Sequence, residues 1–215
     1  TVRELFFYLL TLPRGATKDQ IGLIFWPDSS PSQLTCQFKN AIYRLRRSVG
    51  RDAILYDSET RTYSFNKGQL YSYDVEKFLF AYNKADNEQN MPEKIDFYQE
   101  AVKIYSHPYL PQVGGVWAEP VRQSLSRKYE RALLFLAEYQ LNQNQNQACL
   151  EYCKMVLDIE PCQEKAFHLS FHASANSNDR TNLIRIYEVY KYNLSRYLNL
   201  TPSEVTTSLY RELLG

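Results

Sequence analysis

Between Ser32 and Val49 the chain carries long side-chain donors at a spacing that an α-helix would gather on one side. Gln37, Lys39, Asn40, Tyr43, Arg44 and Arg47 oppose an apolar stripe of Leu34, Phe38, Ile42, Leu45 and Val49. An apolar face of this kind docks on a small core. The opposite face then offers Arg, Lys, Asn and Gln, the side chains that fit base edges and phosphates in a DNA major groove. The commoner fate of the same pattern is a surface helix with a solvated basic face, so the elements that follow must decide.

Other chemistry is sparse. His168 and His172 are four residues apart, as are Cys149 and Cys153. Four such groups are zinc-ligand types, but Cys and His at helical spacing beside apolar residues more often pack than bind metal. No Gly-rich phosphate loop, serine nucleophile elbow or His-Glu zinc pair occurs, and only three histidines are present. Nothing positive supports an enzyme, and no metal site or cofactor is expected.

Charge is unevenly shared along the 215 residues. Residues 1–70 hold 10 Lys and Arg against 6 Asp and Glu, whereas residues 71–215 hold 15 against 18, so the net charge of +1 divides into +4 and −3. A basic module joined to a mildly acidic one points to a polyanion partner for the first and a protein partner for the second. The four cysteines do not form the dense framework of a secreted disulfide fold, which makes a reducing cytoplasm the natural setting. No apolar run approaches the ~20 residues that span a bilayer, and no membrane association is expected. The chain opens at Thr1 inside a helical pattern without an initiator Met, as a piece of a longer protein would.

The positioning elements follow from punctuation. Val2 to Leu12 reads as a first helix, stopped by Pro13 and Gly15. Thr17 and Gln20 have capping-box spacing and open a short second helix through Ile21, Ile24, Phe25 and Trp26. A turn at 26–31 leads into the third helix, giving a helix-turn-helix arrangement in about 50 residues. After Gly50 the period changes: Ala53 to Tyr56 and Thr62 to Phe65 read as strands flanking 57–61, the shape of a wing with Arg61 and Thr62 near its tip as backbone or minor-groove contacts. From Tyr73 onward helices dominate, expected at about 74–85, 93–105, 120–142, 145–159, 162–175, 180–197 and 203–214. Ala137, Tyr139, Ala148, Tyr152, Leu157 and Pro161 approximate one tetratricopeptide unit, whose stacked helix pairs leave grooves for peptides or proteins.

With these parts in place the chain resembles the Streptomyces antibiotic regulatory protein (SARP) family. Its members join an OmpR-like winged helix to a bacterial transcriptional activator domain of tetratricopeptide type. The resemblance covers nearly the whole chain. It rests on Arg3-Glu4-Leu5, Ile24-Phe25-Trp26-Pro27-Asp28, Tyr43-Arg44-Leu45-Arg46-Arg47, Tyr73-Asp74-Val75 with Phe78, Trp117-Ala118-Glu119-Pro120 with Arg122, Leu157-Asp158 to Pro161, and Leu200-Thr201-Pro202-Ser203 with 209–214. The expected fold is mainly α: a winged helix-turn-helix with a small β-hairpin wing over 1–70, then a tetratricopeptide-like helical domain over 71–215. Two departures stand out. The family's short sheet ahead of the first helix is missing, which implies truncation or an altered winged helix. Asn144 and Asn199 occupy turns where the family often has Gly, and Asn tolerates the left-handed conformation those turns need.

The resemblance implies a sequence-specific DNA-binding transcriptional regulator, an activator, acting on double-stranded DNA. Thr35, Gln37, Lys39, Asn40, Tyr43 and Arg44 would face the groove. Arg46, Arg47 and Arg61, with Thr62 beside it, would meet the backbone; Arg46 has the alternative of pairing with an acidic residue of the helical domain. The helical domain would serve a homodimer or contact RNA polymerase or another regulator domain. The rival is a protein-interaction or signalling module of a larger regulator whose winged helix has weak or lost DNA binding.

Overall fold

The computed structural model describes all 215 residues. Its elements in chain order are α1 (Val2–Thr11), β1 (Ala16–Thr17), α2 (Lys18–Phe25), α3 (Pro31–Val49), a 3-10 turn at Arg51–Ala53, β2 (Ile54–Asp57) and β3 (Thr62–Phe65). The helical series α4 (Asp74–Asn87), α5 (Met91–Ile104), α6 (Ala118–Asn142), α7 (Asn146–Leu157), α8 (Glu164–Asn176), α9 (Arg180–Asn193) and α10 (Glu204–Leu214) follows. The chain is mainly α, a winged helix-turn-helix followed by a tetratricopeptide-like helical domain. No helix is long and apolar enough to cross a membrane.

Two compact units form. The first comprises residues 1–73 together with 108–123, and the second residues 74–107 together with 124–215. In the first, Leu5 and Leu9 of α1, Ile21 of α2, Leu45 of α3 and Ile54 of β2 are almost fully buried. The segment 108–123 completes this unit: Trp117 lies edge-on to Tyr8 at 5.5 Å and near Phe25 at 6.5 Å. Arg122 fixes the same segment by donating to the carbonyl oxygens of Tyr109, Leu110 and Val113.

Local chemistry starts the helices. The reciprocal Thr17 and Gln20 bonds predicted for α2 are present at 3.2 and 2.8 Å. A second capping box, Ser30 with Gln33, starts α3 one residue earlier than the expected Ser32, with Pro31 in its first turn. The wing has its tip where expected, with the first strand shifted by one residue to 54–57. The two-residue strand β1 was not anticipated; it pairs antiparallel with β3, giving a three-stranded sheet in the order β1-β3-β2. Gly15 permits this approach: its φ is +72°, and a Cβ there would stand 2.4 Å from the Tyr63 carbonyl oxygen.

In the second unit short turns join α4 to α5, α6 to α7, α7 to α8 and α8 to α9, as antiparallel neighbours require. Pro92, expected in the break before α5, sits in the helix's first turn, where no intrahelical N–H is lost. Asn144 and Asn199 take φ of 57° and 54°, the left-handed conformation anticipated for them. The helix expected over 180–197 changes character at Leu194–Leu198, where a π-turn runs into Asn199. Phe167 and Phe171 of α8 pack with Leu183, Tyr187 and Tyr190 of α9, while Tyr210 of α10 stacks on Tyr187 at 3.9 Å. Cys149 and Cys153 are buried with sulfurs 4.0 Å apart and Cys149 reaching the Leu169 carbonyl, whereas His168 turns to α10.

Candidate nucleic-acid interface

The third helix is held from below. Phe38, Ala41, Ile42 and Leu45 are buried, and Gly22 of α2 lets Leu34 come so close that a Cβ would meet its methyl at 2.7 Å. At 100° per residue the direction opposite this core passes through Cys36, Asn40, Tyr43 and Arg47, all exposed. Lys39, Arg44 and Gln37 flank that line and are exposed as well.

The remaining predicted residues differ in their freedom. Thr35 is half-buried; its hydroxyl donates to the Pro31 carbonyl at 2.8 Å and accepts from Lys18 at 3.3 Å. Gln37 accepts a bond from the Ser29 hydroxyl, and the Asn40 amide lies 3.7 Å from the Cys36 sulfur. Arg46 is half-buried, with Nη2 donating to the Ile54 carbonyl at 2.8 Å and Nε buried without a partner. Its guanidinium thus ties α3 to the first residue of β2, an acceptor different from the acidic partner considered for it. Arg61 is exposed at the tip of the wing with φ of 54°, and Thr62 shares a hydroxyl bond with Thr60.

Electrostatics separate the helix from the wing tip. Lys39, Arg44, Arg47, Arg51 and Arg61 are exposed and enter no ion pair. Near Arg61, however, stand Asp57 and Glu59. The Thr60 hydroxyl and the amides of Glu59 and Thr60 hold the Asp57 carboxyl below its ordinary range, so the tip keeps an anion. Between α3 and β3 lies a cleft of about 570 Å³ that contains no acidic residue. Phe38 and Tyr63, rings 4.8 Å apart, line it, and the Tyr56 ring also packs against Tyr63 at 4.8 Å. Burial pushes the Tyr63 phenol up, so at neutral pH it remains a hydroxyl. Sequence reading missed Cys36, Arg51 and Tyr63. Cys36 was legible, being at the centre of the donor face; Arg51 and Tyr63 meet only when the strand folds back on the helix.

The family model of the bacterial transcriptional activator domain matches residues 73–214. The chain belongs to the bacterial transcriptional activator domain family. The domain's matched range includes 108–123, the stretch that packs with the first compact unit. The chain is similar in fold to a solved structure, Mycobacterium tuberculosis EmbR in complex with low affinity phosphopeptide, at a TM-score of 0.76 and 16% identity. That match covers 99% of this chain and 58% of the EmbR chain, so the present chain spans little more than half of its relative's length. Comparison with curated protein sequences finds no match. The resemblance drawn from the sequence stands at the level of family and fold: a winged helix followed by a bacterial transcriptional activator domain, the SARP-type architecture of transcriptional regulators.

Proposed function

We propose that this chain binds duplex DNA as a sequence-specific transcriptional regulator, with α3 in the major groove and the wing on the adjacent backbone. The observation that carries this reading is the face of α3 opposite its buried stripe, where Asn40, Tyr43, Arg44, Arg47 and Lys39 are exposed and the cations lack ion partners. Asn40 and Tyr43 sit where base edges would lie, with Arg47 following them along the same line and Arg44 flanking it, both within reach of phosphates. Thr35 and Arg46, whose polar groups are engaged within the protein, act by fixing α3. The helical unit serves dimerisation or contact with RNA polymerase or another regulator domain, and activation is the expected outcome.

A fluorescence-anisotropy titration with mixed-sequence duplex DNA at several salt concentrations tests the reading. Binding that weakens steeply with salt, through counterion release, and collapses in the Arg44→Ala, Arg47→Ala double variant is the expected result. Salt-insensitive association with protein and no affinity for DNA would instead favour the docking role of a larger regulator.

A further inference from the structure

The cleft between α3 and β3 is lined by four cations and no acid, while the wing turn that carries Arg61 also carries Asp57 and Glu59. A cleft lined by one sign of charge with low-dielectric walls concentrates field and draws counter-charge into it. Lys39, Arg47 and Arg51 are exposed there and free of ion partners; Arg46 forms the inner wall and spends one nitrogen on the Ile54 carbonyl. Arg51 comes from the 3-10 turn after Gly50, so the helix end and the turn aim their charges at one opening. Tyr43, 65% exposed, adds a hydroxyl at the rim, while Phe38 and Ile42 supply an apolar floor.

On these observations we infer that the cleft seats a phosphodiester of the DNA backbone, with Arg51 as its outer clamp beside Arg47 and Lys39. The inference rests on the DNA-binding reading above and deepens it. The cleft lies between the two elements that would straddle the edge of a groove, so a strand leaving α3 towards the wing passes over it. Phosphate is what the donors recognise, fork-shaped guanidinium groups matching its oxygens. The apolar floor suits the sugar that accompanies a diester. A backbone contact is thereby assigned to the helix-to-sheet cleft, beside the one proposed for the wing.

The test uses the whole chain and a fluorescein-labelled duplex, with the slope of log affinity against log salt as readout. Each phosphate contact contributes about 0.9 to that slope. Arg51→Ala is expected to lower the slope by about that amount at every DNA sequence, and Arg51→Lys to restore most of it. Arg14→Ala, which removes an exposed charge of the same unit outside the cleft, is expected to leave the slope unchanged. An unchanged slope in Arg51→Ala, while the unaltered chain binds normally, overturns the clamp and leaves the DNA-binding reading standing. Equal losses in Arg51→Ala and Arg14→Ala also overturn it, since net charge alone would then be at work. Absence of salt-dependent binding by the unaltered chain removes both. Adenosine monophosphate and inorganic phosphate serve as free-anion probes; if either binds through Arg51 while the DNA slope does not depend on it, the occupant is a soluble anion and the diester assignment fails.

Discussion

At the scale of single residues, the second unit contains a polar junction between α8, α9 and α10. Thr206 is fully buried on α10; its hydroxyl donates to Glu164 on α8 and lies 2.8 Å from His168 Nε2. Ser203 and Tyr190 also donate to the same Glu164 oxygen. The Thr206 bond, helped by these two, pulls the Glu164 carboxyl below its ordinary range. Burial pulls the His168 imidazole down, with His172 adding to the effect and Glu164 opposing it. Both shifts act in one direction. Below about pH 6.5 the unfolded chain takes up a proton on this histidine more readily than the folded one, so stability present above that value is lost as pH falls. Glu164 adds a second loss once pH drops below its unfolded value of about 4.5. The urea midpoint is therefore expected to fall between pH 7 and pH 5, and His168→Gln, which keeps a side-chain donor for Thr206, to shrink that step. Identical pH profiles for the two proteins would show that His168 is not the titrating group.

At the scale of elements, α3 depends on its start. Pro31 lacks an N–H, and Ser30 and Gln33 satisfy two further backbone groups reciprocally, so the helix is anchored next to the residues proposed to meet DNA. Ser30→Ala is expected to cost about 1 kcal/mol in chemical denaturation, the usual worth of such a cap. A loss near zero would mean that packing of Phe38, Ala41, Ile42 and Leu45 fixes the helix end without the cap. The same logic explains why α2 and α3 approach so closely: Gly22 faces Leu34 where any larger residue would collide.

At the scale of the molecule, the first unit is assembled from stretches far apart in sequence. Residues 108–123 supply Trp117 to the Tyr8 and Phe25 rings, and Arg122 holds three carbonyl oxygens of that stretch in place. Trp117 is half-buried, so Trp117→Ala is expected to cost roughly 2 kcal/mol, less than the ~3–5 of a fully buried tryptophan. Denaturation followed by circular dichroism checks this. A loss below about 0.5 kcal/mol, the usual range for surface substitutions, would show that the stretch does not stabilise the winged helix.

The elements themselves were legible because their signals are local. Hydrophobic period placed α3, the Thr17 and Gln20 spacing placed the start of α2, and the change to short extended segments after Gly50 placed the wing. The exposure of Lys39, Asn40, Tyr43, Arg44 and Arg47 follows from the same period. What no local signal carries is pairing at a distance. Two residues at Ala16–Thr17 have no period to read, and they become a strand only because β3 lies alongside and Gly15 allows the approach. Arg44, Arg46 and Arg47 look alike in the chain, yet Arg46 alone reaches the Ile54 carbonyl, since helix phase points it at β2. Arg51 and Tyr63 join one cleft, and Trp117 joins Tyr8, only after the backbone has folded back on itself. Sequence by itself therefore determined the helices, the two strands of the wing and the faces they bury, because backbone geometry repeats every few residues; tertiary structure alone decided the strand β1, which charges converge and which are spent within the protein, because these depend on contacts between elements.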